Sequence, residues 1–193
     1  MDVVSLLTDQ ADRTSKAVRD VRPDQFELPT PCTGWDVRRL INHLCMTSQF
    51  CARVAAGEKV EPDYETDFVG DDPADAYDRW KDEMLVACAA PGLGERTVHM
   101  PIGDVPGAVV LALALMDTVV HRWDLTRAVG ADPHISADAA GALLEQIRPM
   151  IPEAMRAPTP DATTGQIPFG PQVDVPEGAP AIDQLMGFLG RAP

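Results

Sequence analysis

Residues 108–129 read AVVLALALMDTVVHRWDLTRAV and carry the strongest helical signal in the chain. Val109 to Met116 is apolar nearly all round, which places this helix at the centre of a packed assembly rather than on its surface. Gly130 and Pro133 supply its stop. The apolar run that leads into it, Val105 to Met116, is broken by Pro106 and Gly107 and is too short to cross a bilayer.

Working outward, the rest of the chain repeats the helical rhythm. Val3, Leu6, Leu7, Ala11, Ala17, Val18 and Val21 space a first amphipathic helix over about 2–21, stopped at Arg22-Pro23. After the rigid connector Leu28-Pro29-Thr30-Pro31-Cys32-Thr33-Gly34, the spacing of Thr33 and Asp36 resembles a capping box. A second helix is therefore expected from near Trp35 to about Ala56. Glu58 to Asp72 holds seven Asp or Glu in fifteen residues and reads as a solvated loop. Pro73 opens a third helix through Ala76, Trp80, Met84 and Cys88. Thr97 to Met100 is briefly β-like, and Ser136 caps a further helix reaching Met150. From Ala157 to Pro180 six prolines and three glycines preclude a helix, and Ile167 to Pro171 is expected to lie as an irregular arm or short hairpin. Ile182 to Leu189 closes the chain as a short terminal helix. The expected fold is all-α, four main helices packed up and down, in one domain over 1–193. The bundle occupies about 1–150, and the proline-rich C-terminal arm and helix about 151–193.

Composition narrows the function. Sixteen Lys and Arg against thirty Asp and Glu leave a formal charge of −14, which repels nucleic acid and anionic lipid. Asp2 and Asp9 interrupt any signal-peptide pattern, so a soluble, cytoplasmic protein is expected. Cys32, Cys45, Cys51 and Cys88 form no C-x-x-C pair and read as free, mostly buried thiols, none of them a distinct nucleophile.

Asp117 is the anomaly. A lone carboxylate in so apolar a helix is costly unless paired, neutralised or bound to a cation. His121, four residues on, shares its face one turn away, and two ligand-type side chains at i and i+4 make half of a divalent-metal site. His43, mid-helix among Leu40, Ile41 and Leu44, is the natural third ligand. His99 and His134 sit in loops and fit less well. Spacing alone leaves the alternatives open: a local Asp–His hydrogen bond or ion pair, and a satisfied core histidine at 43. Asp124 continues the stripe at i+7, either orienting a ligand or pairing with Arg127, Arg122 or a neighbouring helix end. Trp35 and Trp123 read first as packing residues.

Pro29-Thr30-Pro31-Cys32-Thr33-Gly34-Trp35-Asp36-Val37 with Leu40-Ile41-Asn42-His43-Leu44 is similar to the opening of the actinobacterial DinB-like proteins. These include the N-terminal domain of mycothiol-dependent maleylpyruvate isomerase. Asp117-x-x-x-His121-Arg122-Trp123-Asp124 through Gly130, and the ending Phe169-Gly170-Pro171 to Arg191, resemble the same family.

The resemblance implies a DinB-like up-and-down four-helix bundle holding one divalent metal, commonly zinc, with nickel or iron also acceptable to such ligands. Carried onto this chain, the metal ligands are His43, Asp117 and His121. Family members of known activity are thiol-dependent. The expected function is therefore a metal-dependent thiol S-transferase, in which mycothiol, or a similar low-molecular-weight thiol, adds to a small electrophile as a metal-bound thiolate. Three protein ligands leave the open position this requires. No catalytic residue beyond the ligands is assigned. The isomerase carries a separate C-terminal domain that this chain is expected to lack, which makes isomerisation itself the lesser expectation. The alternatives are a mycothiol-dependent isomerase, a non-catalytic metal-binding or stress-associated protein, and hydrolysis by metal-bound hydroxide. Bundles of this kind often pair, so a homodimer is compatible.

Overall fold

In the computed structural model, which describes residues 2–159 and 169–193, the apolar stretch becomes the long helix Gly107–Val129 (α4). Three more helices accompany it: α1 (Val3–Arg19), α2 (Val37–Ala55) and α3 (Pro73–Cys88). α4 packs on both α1 and α2, and α3 packs on the same two. Val18, Leu40, Ile41, Leu44, Tyr77 and Leu125 meet in one buried cluster between them. Burial of α4 is nearly complete on several sides, as its unrelieved apolar first half requires.

The helix ends follow local chemistry. Asp2 and Asp72 accept the first free amides of α1 and α3, and Gly130 ends α4 with a left-handed φ of 74°. α2 departs from expectation. Its cap is Asp36, whose carboxylate accepts from the Arg39 amide at 2.7 Å, and the helix starts at Val37. Thr33 is unavailable because Thr30 to Trp35 close a tight loop, with the Thr30 amide on the Trp35 carbonyl and Gly34 at φ 75°. That loop fixes Cys32 and Trp35 immediately ahead of α2.

A second departure is a small sheet. β1 (Thr97–Met100) pairs antiparallel with β2 (Gly103–Pro106), the strand that sequence reading did not anticipate. The chain is mostly helical with this two-stranded hairpin added, rather than all-α. Gly107 follows directly, and any side chain there would collide with the Leu93 carbonyl.

By internal contacts the chain divides into two units, Met1–Pro133 and His134–Pro193. Within the second, α5 (Ala137–Ile147) packs on α6 (Ala181–Phe188). Arg148 and Arg156 lie over the Phe188 ring at 4.9 and 4.7 Å. The arm is tied by a parallel bridge between Arg156 and Phe169 and by the Val173 amide on the Gly187 carbonyl. Ile167 and Pro168, part of the expected arm or hairpin, lie outside the described residues.

Candidate metal centre

All the groups of interest lie within the first unit. The helical period puts Asp117 and His121 on one face of α4, and the contact of α2 with α4 brings His43 across to them. Nε2 of His43 lies 3.1 Å from Oδ1 of Asp117, and Nε2 of His121 lies 3.5 Å from the same oxygen. The two imidazoles meet edge to face, with ring centroids 4.7 Å apart. One donor atom from each of the three residues falls within 4.8 Å of the others, a grouping able to hold a metal ion. The side chains of His43, Asp117 and His121 keep 17%, 12% and 11% of their surface exposed, so solvent reaches the cluster at its edge.

The charges explain how Asp117 survives there. Burial works to raise its carboxyl, and the electrostatic interaction and hydrogen bonding with the neighbouring His43 and His121 rings outweigh this and hold it below the usual range. At His121, burial disfavours the imidazolium. The Asp117 charge and hydrogen bonds to Asp124 and Cys32 overcome that and push its pKa up to about 10. Two nitrogens and a carboxylate oxygen in this arrangement suit zinc and similar divalent cations, so the residues fit such an ion.

Asp124, which is completely buried, accepts from Nδ1 of His121 at 2.8 Å. That bond fixes the ring so that Nε2 is the nitrogen turned toward Asp117. The suggested partners of Asp124 are engaged elsewhere. Arg122 donates to the Gln10 backbone and side-chain oxygens and to the Pro133 carbonyl, and Arg127 lies over Trp123. His99 pairs with Asp104 across the hairpin and belongs to neither of the possible metal-holding groups among the described residues.

Two neighbours escaped the sequence reading. Trp35 is half-buried against the cluster, 4.8 Å from the His43 ring and stacked 6.0 Å from His121, with the Arg39 guanidinium 5.5 Å over its ring. Cys32 places Sγ 3.3 Å from Asp124 and 3.9 Å from Nδ1 of His121. No periodicity links the connector to α4, so the only available signal was their shared membership of the family-like opening block.

The fold and site define a helical domain with a His–Asp–His donor set contributed by two helices. The chain belongs to the mycothiol maleylpyruvate isomerase N-terminal domain family, whose pattern matches residues 7–126. Two uncharacterised proteins of Mycobacterium tuberculosis, from strains CDC 1551 / Oshkosh and ATCC 25618 / H37Rv, are each 31% identical over 180 residues. These alignments cover 93% of this chain and 92% of the relative. Among solved structures, a mutant of mycothiol-dependent maleylpyruvate isomerase is similar at a TM-score of 0.57 and 16% identity. The crystal structure of the isomerase itself gives 0.54 and 18%. Each comparison covers 72% of this chain and 67% of the other, and at such identities shares the fold alone.

Proposed function

We propose that this chain is a metal-dependent thiol S-transferase that takes mycothiol, or a closely similar thiol, and joins its sulfur to a small electrophile. The observation that carries the reading is the convergence of His43 Nε2, Asp117 Oδ1 and His121 Nε2 at the solvent-reachable edge of α2 and α4. Membership of a family named for a mycothiol enzyme supports the choice of thiol. On the same reading α1 to α4 form a DinB-like four-helix bundle, and the protein works in the cytoplasm as a monomer or homodimer. No helix among the described residues is long and apolar enough to cross a membrane.

His43, Asp117 and His121 would hold one divalent cation, zinc by preference, with nickel or iron compatible. A cation there supplies Lewis acidity that makes a thiol's conjugate base available near neutral pH. The protein's own groups do the positioning. Asp124 keeps the His121 ring in register. Thr47 Oγ1 lies 3.4 Å from His43 Nε2 and would yield that nitrogen to a bound cation. The Trp35 ring covers one side of the cluster.

The test compares zinc-loaded wild type with His121→Ala in conjugation of mycothiol to monobromobimane. A wild-type rate well above the variant and the uncatalysed background supports the reading. Equal rates overturn it for that class of electrophile and favour a non-catalytic metal-binding role.

A further inference from the structure

His121 presents both ring nitrogens to acidic partners. Nε2 faces Asp117, whereas Nδ1 lies 2.8 Å from Oδ2 of Asp124. The Cys32 sulfur stands 3.3 Å from that same Asp124 oxygen and 3.9 Å from that same nitrogen. These three separations close an acute triangle with an interior point about 2.0 Å from every corner. Zinc bonds run to about 2.3 Å for thiolate and about 2.0–2.2 Å for imidazole and carboxylate. A cation slightly above the plane of the triangle therefore reaches all three donors with the backbone unmoved.

The geometry points to a second cation site, made by Cys32 Sγ, His121 Nδ1 and Asp124 Oδ2, for a thiophilic divalent ion such as zinc, cadmium or cobalt. It sits back to back with the His43–Asp117 cluster through the shared imidazole. The donors come from the connector ahead of α2 and from the second half of α4, and the three residues group as a possible metal holder in their own right. Uptake of the ion displaces two protons to solvent, one from the thiol and one from ring Nδ1. The sulfur gives the site a preference for soft ions that the all-nitrogen-and-oxygen cluster lacks. Cys32 is also the only half-exposed cysteine of the four. Cys45, Cys51 and Cys88 are buried, and burial raises their thiols to about 12, far upward, and about 11 respectively. They do not compete for the ion.

Cobalt(II) titration of the full chain tests this without any measure of catalysis. Two equivalents should bind, with a near-ultraviolet thiolate-to-cobalt charge-transfer band. Cys32→Ser should lose that band and one equivalent while keeping its circular dichroism, and His43→Ala should keep the band. In unsubstituted protein, cadmium should slow alkylation of Cys32 by iodoacetamide at least tenfold. Absence of a thiolate band at every cobalt concentration, its survival in Cys32→Ser, or an alkylation rate indifferent to cadmium would each overturn the proposal. Loss of binding at the His43 cluster with the band retained would contradict the proposed function while leaving this site standing.

Discussion

Asp124, fully buried one turn beyond His121, accepts the Nδ1 hydrogen bond of that histidine at 2.8 Å and so determines which ring nitrogen faces Asp117. A carboxylate behind a ligating imidazole sets its tautomer and raises its basicity. Asp124→Asn keeps the shape and removes the charge. Zinc affinity at the His43–Asp117–His121 cluster should fall about 10- to 100-fold, read by competition with a chromophoric chelator in a Cys32→Ser background that leaves this cluster alone to bind. Unchanged affinity would show that the bond is only structural.

The shift at His121 fixes a pH dependence for the metal-free protein. Its folded pKa of about 10 lies above the ordinary histidine value of 6.5. The stabilisation is therefore complete below about pH 6.5 and is lost as pH rises toward 10. Denaturation midpoints of metal-free protein should fall across that window and flatten in Asp117→Asn. Zinc uptake at pH 7 should release protons, seen as buffer-dependent heats of binding, because the ion displaces the proton held by His121.

Arg122 ties α4 to α1. The residue is 1% exposed, and its guanidinium donates to Gln10 O at 2.8 Å, Gln10 Oε1 at 2.6 Å and Pro133 O at 3.0 Å. Burial lowers its pKa to about 10, so it stays charged at neutral pH. Arg122→Ala removes the donor to Gln10 Oε1 and Pro133 O and opens a cavity, and should cost about 3 kcal/mol or more in urea denaturation. A change under about 1 kcal/mol would show that the surroundings collapse or hydrate.

Gly107 joins β2 to α4 where a Cβ would strike the Leu93 carbonyl. Gly107→Ala forces a backbone shift at the entrance to the central helix. Its expected cost is about 1–3 kcal/mol, against the gain that alanine usually brings to a helix. Thermal denaturation gives the sign directly.

Much of this arrangement was legible because helices impose a period. The i, i+4 spacing of Asp117 and His121 and the apolar surroundings of His43 pointed all three inward, and the structure brings them together. Asp124 was ambiguous because a stripe position names a face but not a partner. Thr33 misled because a capping pattern cannot show that the preceding loop is already closed by Thr30 and Trp35. The second hairpin strand, Gly103–Pro106, carries a glycine and a proline in four residues and no alternation of its own, so only pairing with β1 defines it. Cys32 and Trp35 reach the cluster through tertiary contacts between a loop and a distant helix, which periodicity does not encode.

The most direct trial of the metal centre is an anomalous difference map at the zinc edge from crystals of zinc-loaded protein. Density bonded to Nε2 of His43, Oδ1 of Asp117 and Nε2 of His121, with a further position facing solvent, is the expected result. A zinc-loaded crystal with no anomalous peak within bonding distance of these three atoms would contradict it.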